Sequence, residues 1–397
     1  MAALNLRRFS KPETLHSITP EHLITFLAPY RNYFLNRGIT LPRKFSHGSL
    51  DYTRLSQVLI SPDVTTPQSL IDGLFFINEL ATPASFDMLQ QAVSKSDLGI
   101  VVEGEMPPAD IALQIWVKAP ELLESLHAEH FLYRPRSFEY FRSTRKVIPV
   151  FEEPGKETLQ VLEHSLDEWF VTKGRGRTAR ILMFSTPTSV WFLVRHGEVL
   201  TRTSALKEGE STSVIYRPAR FDVLVYNPAT GEIRINASGK MLKRVYRQLF
   251  GLYFFGDGDF FNGRSKFTLE PLRRDGRQSL VCSDIDGLEW VKLREIHYHW
   301  PGDYRETEIR KAVDIFAALE SRDGCIPNRA EIAKASFEIR FKDAKTPRMV
   351  TISSQNKAQY KRDNDAELIE RWMIQRGFIN FEKDVQYEDF PLLMEAS

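Results

Sequence analysis

The stretch SVWFLVRHGEVLTRT (residues 189–203) sets Arg195, His196 and Glu198 directly behind the apolar run VWFLV. An imidazole at the end of a strand, beside a guanidinium and a carboxylate, has the parts for phosphoryl transfer. The ring nitrogen accepts the group, Arg neutralises it, and an acid moves the proton. A second set is Asp222, Glu232 and Arg234. Two carboxylates on adjacent strands would hold Mg²⁺, with a basic side chain near the attacking water. A third is Glu295, His297 and His299, which alternate and so share one face of a strand, as zinc or iron ligands would. Two basic segments complete the inventory. KGRGRTA carries Lys173, Arg175 and Arg177, with Arg180 just beyond it. PRMVTISSQNKAQYKRD (347–363) carries Gln355, Asn356, Lys357, Lys361 and Arg362.

Context decides among these. RHGE resembles the tetrapeptide of the histidine phosphatase superfamily, where it opens a doubly wound α/β domain and a helix follows. Here VLTRTSAL follows and alternates like a strand, so the segment predicts a β-hairpin with Gly197 in the turn. His297 and His299, the candidate second histidines, lie far along the chain in another strand-like segment. In the second set Arg234 stands where a proton-yielding Lys is wanted, and a guanidinium stays charged. The turn NPATG predicts a hairpin with Glu232, Arg234 and Asn236 on its wet face. The Glu295/His297/His299 alternation equally describes the solvated face of a half-buried strand. SDIDGLEW begins like a calcium loop but lacks the later ligands, so Asp286–Gly287 reads as a hairpin turn.

Gly174-x-Gly176-x-x-Ala179 matches a dinucleotide fingerprint, but a helix precedes it and a strand follows. That order is the reverse of the one that aims a helix N-terminus at a pyrophosphate. SGK at 238–240 lacks the phosphate-loop spacing and has Met241 where Ser or Thr would bind Mg²⁺. The aromatic-dense LFGLYFFGDGDFFNG could stack bases but reads as core. No catalytic constellation is complete, and no metal site or cofactor is expected.

The chain has 397 residues, enough for two or three domains with sizeable cores. Its two cysteines, Cys282 and Cys325, exclude a thiolate zinc cluster and fit a reducing cytoplasm. No apolar run suits a membrane span, and the N-terminal residues lack the apolar stretch of a signal peptide. Charge is uneven. Residues 1–130 hold 10 Lys/Arg against 14 Asp/Glu, whereas residues 171–250 hold 14 against 5. A basic middle implies a polyanionic partner, or an interface with the acidic N-terminal part.

The elements that must position these residues form an α+β multidomain chain. Residues 1–146 read as an all-α domain: TPEHLITFLAPYRNYFL starts behind Thr19 and Pro20, TPQSLIDGLFFINEL repeats the signal at Thr66 and Pro67, and Pro120 breaks a later helix. Residues 150–301 read as an α+β domain with an antiparallel sheet. It includes the helices TLQVLEHSLDEWFV and MLKRVYRQLFGLYFF, and strands that include KFTLEPL, SLVCS and LEWVKLREIHYHW. Residues 303–381 read as winged-helix-like: a helix in YRETEIRKAVDIFAALESRDG, a short helix in NRAEIAKA with Arg329 and Lys334 near the wing, strands SFEIRF and RMVTISS, and a last helix ending at Gly377. Residues 382–397 form a tail.

The expectation is a cytoplasmic nucleic-acid-associated protein without enzymatic activity, a subunit or regulator of a multi-component prokaryotic system such as one handling foreign DNA in antiviral defence. DNA or RNA would meet the two basic segments, the helical domain would dock a protein partner, and no membrane would be involved. Two alternatives are a divalent-metal nuclease using Asp222 and Glu232, and a pure interaction subunit.

Overall fold

The structure is a computed structural model that describes residues 6–380 except 7, 10, 45, 47–49, 64, 103–105, 133–134, 144, 146, 208, 345, 354–355 and 362–365. Two compact units follow in order, Met1–Phe131 and Leu132–Ser397. The expected tail lies outside the described residues.

The first unit is helical: α1 (Pro12–His16), α2 (Pro20–Leu27), α3 (Arg31–Asn36), α4 (Tyr52–Leu59), α5 (Gln68–Leu80), α6 (Phe86–Lys95), α7 (Pro108–Lys118) and α8 (Pro120–Leu132). Prolines open four of these eight because their fixed φ suits a first turn that needs no N–H. Thr19 precedes Pro20 as expected, but its hydroxyl does not cap the helix. It donates instead to Asp110 of α7 at 2.5 Å, and His22 meets the other Asp110 oxygen at 2.8 Å. Asp110 is buried, so this polar tie fixes α2 on α7. Gly73 of α5 lies so close to Trp116 of α7 that an added Cβ would come within 2.6 Å of the indole nitrogen.

The second unit is built on one ten-stranded antiparallel sheet. Its strands are β1 (Ser137–Arg142), β2 (Arg180–Ser185), β3 (Val190–Gly197), β6 (Ala219–Asn227), β7 (Glu232–Asn236), β8 (Leu288–His299), β9 (Thr307–Lys311), β10 (Glu331–Phe341), β11 (Arg348–Ser353) and β12 (Lys357–Gln359). They lie in the order β2-β3-β6-β7-β1-β12-β11-β10-β8-β9. A separate two-stranded hairpin, β4 (Thr201–Lys207) and β5 (Glu210–Tyr216), interrupts the chain between β3 and β6. Helices α9 (Lys156–Thr172), α10 (Lys240–Phe255), α11 (Pro271–Arg274), α12 (Ile315–Glu320) and α13 (Ala366–Gln375) complete it.

Residues opposite one another in an antiparallel ladder point to the same side, so the register assigns faces. On one face of β2, β3, β6, β7 and β1, Phe192, Val194, Leu224, Tyr226, Ile233, Ile235 and Phe141 form a core with Leu166 and Phe170 of α9 and Tyr246 and Phe250 of α10. Along β12, β11, β10 and β8 that same face turns polar, with Lys357, Thr351, Ser336, Glu338, Glu295 and His297. There the opposite face carries the core: Phe337 meets Trp372 of α13 at 5.1 Å between ring centroids. The covered face thus changes side near β1 and β12.

Several expected elements differ. Residues 137–142, read as part of the helical region, are β1, the strand that joins the two halves of the sheet. Gly197 is not a hairpin turn but the last residue of β3, still paired with Ala219 of β6. It is glycine because a Cβ would collide with the Arg217 side chain. SLVCS is not a strand: its first two residues close the 3₁₀ turn Gly276–Leu280, so Asp286–Gly287 does not join two strands. KFTLEPL contributes only a single bridge, Phe267 to Ile379, before α11. The helix expected from residue 303 is instead β9 followed by the short α12, capped by Asp314. TEIRK has the strand period, and pairing with β8 satisfies it. NRAEIAKA leads into β10 rather than a helix. A register shift between Ile332 and Lys334 brings Ile332 and Ala335 into the core three residues apart, which imitates helical spacing. The helix-helix-strand-strand-helix order of a winged-helix relative is therefore replaced by strand, helix, three strands and helix, all on the shared sheet. The last helix does end as expected. Gly377 is left-handed at φ 74°, and the N–H groups of Gly377 and Phe378 donate to Ile374 O and Met373 O.

Candidate nucleic-acid interface

His196 is 2% exposed, with Nε2 3.0 Å from Asp222 Oδ2, Nδ1 3.0 Å from Gly197 O and its ring stacked on Phe170 at 4.3 Å. Tyr246 donates its hydroxyl to the same Asp222 oxygen at 2.8 Å. Burial, then the Asp222 charge, pushes the Tyr246 phenol well above its ordinary value. Arg195, the preceding residue, points to the opposite face. His196 is therefore a core residue, while Arg195 is exposed and Glu198 pairs with Arg175 and Arg220, so RHGE does not assemble around a phosphate.

Asp222 and Glu232 do not converge. Asn227 is opposite Glu232, and Val194 is opposite Asp222, which puts the two carboxylates on opposite faces of the sheet. Glu232 is also not on a wet hairpin face. It is buried between Lys266 at 2.5 Å and Arg142 at 3.1 Å. Burial opposes its ionisation, but Lys266 and Arg142 outweigh that and hold the carboxyl below its usual range. The hairpin is legible in the sequence; its place in mid-sheet, between β6 and β1, is not.

Glu295, His297 and His299 share the polar face, as their alternation predicts. Glu295 accepts from His297, from Lys311 at 2.9 Å and from Lys334 at 3.0 Å, and these partners hold its pKa at about 2. Among the described residues, no three His, Cys, Asp or Glu side chains come together around a metal position. Asp286 pairs with Lys342 at 2.6 Å. The aromatic segment is core, with Phe255 stacked on Phe260 at 3.9 Å.

The loop 173–180 links α9 to the edge strand β2. Arg175 is turned inward, over Phe170 and 3.4 Å from Glu198, and Arg217 ties the loop down by donating to Gly174 O and Glu198 O. Lys173 and Arg177 are exposed, and Arg180 lies 3.6 Å from Glu163. Of the C-terminal set, Lys357 is exposed on β12, Lys361 is exposed just after it, and Asn356 is half-buried with its amide 3.4 Å from Glu139. Gln355 and Arg362 lie outside the described residues. Arg329 is exposed ahead of β10, and Lys334 is engaged by Glu295. The two basic segments are not brought together: β2 and β12 stand five positions apart in the sheet, about 24 Å at the usual strand spacing.

What does stand beside Lys357 is α10. Lys240, Lys243, Arg244 and Arg247 follow one another at helical spacing, so they line one edge of the helix. Lys243 bonds Glu139 at 2.8 Å, and Arg247 lies over Phe141 at 4.9 Å. Glu139 is the direct neighbour of Lys357 across the β1–β12 ladder. A basic helix edge therefore borders the polar floor where Lys357, Gln359, Thr351 and Ser353 lie. Arg247 is 5% exposed, and its Nη1 is buried with no hydrogen-bond partner. An unmet charged donor costs more than the roughly 1–3 kcal/mol of a neutral one. The sequence signal for this edge is the i, i+3, i+4, i+7 run of Lys and Arg in KMLKRVYR. A regional charge balance does not reveal it, because a balance says nothing of the helix face.

No protein-family model matches this chain, and no curated protein matches it significantly.

Proposed function

We propose that this chain is a cytoplasmic, nucleic-acid-associated protein that holds its ligand without transforming it. It acts as a subunit or regulator of a multi-component prokaryotic assembly, one of the kind that handles foreign DNA, with the helical unit docking a protein partner. One observation carries the reading: the basic edge of α10 stands beside Lys357 along a polar, open sheet face. Such a surface suits a phosphate backbone, with Lys and Arg meeting the charges and Thr, Ser and Gln the remaining oxygens. The exposed Lys173 and Arg177 lie at the far edge of the same sheet, about 24 Å away, and offer a separate basic contact. No helix among the described residues is long and apolar enough to cross a membrane, which is compatible with this reading.

The test is fluorescence anisotropy with labelled duplex and single-stranded oligonucleotides, from about 50 to about 300 mM salt, with and without Mg²⁺. Binding that weakens steeply with salt, and leaves the strand intact on a gel, is the expected result. Cleavage would overturn the non-enzymatic part, and absence of binding at the lowest salt would overturn the ligand class. A pure interaction subunit is the second reading. It is favoured by the β4–β5 hairpin, which exposes Leu206, Val214 and Ile215. A stable co-purifying partner with no oligonucleotide affinity would select it.

A further inference from the structure

Arg247 is the one buried basic side chain on the α10 edge, and it has the least reason to be there. The residue is 5% exposed, and its guanidinium rests on Phe141 and leaves the buried Nη1 without a hydrogen bond. Burial, then the charges of Arg264 and Arg244, pushes its pKa below the ordinary guanidinium value, while Asp259 and Glu139 pull the other way. Glu139 is already engaged by Lys243 and Asn356. Arg244 stands one turn before Arg247 on the same helix edge, and Arg264 follows Gly263, which bridges Arg142 next to Phe141; neither Asp259 nor Glu139 makes a hydrogen bond to Arg247. A buried charged donor left unmet calls for an explanation, and a bound anion is one that fits a guanidinium. A planar guanidinium fork matches the oxygens of a phosphate.

We propose that Arg247, with Arg244 and Arg264, seats a single phosphate group. Arg247 supplies the buried Nη1, and the two exposed arginines close over the phosphate from the solvent side. This rests on the nucleic-acid reading above for its source: the phosphate belongs to the backbone of a strand lying along the polar face of the sheet. A free phosphate would satisfy the same three groups.

Two measurements separate the seat from its source. The first is the thermal unfolding midpoint with inorganic phosphate against chloride at matched ionic strength, for the full chain, for Arg247→Gln and for the exposed-site variant Arg264→Gln. The seat predicts that phosphate raises the midpoint of the parent chain, with the rise lost in Arg247→Gln and reduced in Arg264→Gln. An equal rise in all three, or none in the parent, overturns it. If Arg247→Gln does not fold, Arg264→Gln and Arg244→Gln decide alone. The second is the salt dependence of labelled-duplex binding. The seat predicts a log–log slope shallower by at most about 0.9 in Arg264→Gln and in Arg244→Gln, because each removes one of the three groups that neutralise that phosphate. Stabilisation by phosphate without duplex binding keeps the seat and removes the nucleic-acid reading. Duplex binding with an unchanged slope in both variants keeps the reading and removes the seat.

Discussion

The two halves of the sheet follow different rules. In β3 and β6 both faces are buried: Phe192 and Val194 point one way, Leu193 and Trp191 the other, and all four are nearly inaccessible. In β10 one face is fully buried, with Phe337 and Ile339 inside, and the other is polar and mostly half-buried, with Glu338 and Arg340 on it and Ser336 buried among its neighbours. The sequences say so directly, as VWFLV and FDVLVY are continuous apolar runs whereas SFEIRF alternates. A half covered on both faces has no room for a ligand along its strands. The half with an open polar face does, and the basic edge of α10 borders that face.

Adjacent truncations break or sharpen this contrast. In β3, Phe192→Ala and Leu193→Ala should each destabilise, by about 3–5 and about 2–5 kcal/mol respectively. In β10, Phe337→Ala should cost about 3–5 kcal/mol, but Glu338→Ala no more than about 0.5 kcal/mol. Urea unfolding midpoints check both pairs, and a large loss in Glu338→Ala would mean that the open face is covered. Close behind comes Asp222→Ala, which strands the buried His196 and Tyr246 without their shared acceptor and should cost about 1–3 kcal/mol for each group left unmet. In the helical unit, Gly73→Ala forces α5 and Trp116 apart and should cost about 1–3 kcal/mol by the same measurement.

A smaller effect than these core losses is a pH dependence on the polar face. Glu295 has a depressed pKa of about 2, so its contribution is fully present above the ordinary carboxylate range. It is lost as pH falls from about 4.5 toward about 2. Because the group is near solvent, the contribution is at most about 1 kcal/mol. Glu295→Gln should therefore be slightly less stable than the parent at neutral pH and match it near pH 2. A constant difference across that range would assign the loss to packing instead.

Local signals carry the helical unit and the strands of the two-faced half, because prolines and continuous apolar runs report on their own neighbourhood. They fail where long-range pairing decides the outcome. Thr307–Lys311 is a strand only because β8 lies beside it, and the bulge after Ile332 disguises β10 as a helix. The candidate site divides in the same way. Lys173, Arg177, Lys357 and Lys361 are exposed basic residues, as their segments imply. That α10 rather than the 173–180 loop stands beside Lys357 follows from strand order, which no local pattern encodes.

The most direct test of the account is the salt dependence of labelled-duplex binding for the parent chain and for Arg244→Glu/Lys357→Glu, a pair of exposed reversals on either side of Glu139. The account predicts tight binding at low salt, weaker binding by the variant throughout, and a log–log slope shallower by about 1.8, as two fewer phosphates are neutralised. Equal affinities and slopes in both proteins would contradict it and move the interface off this face of the sheet.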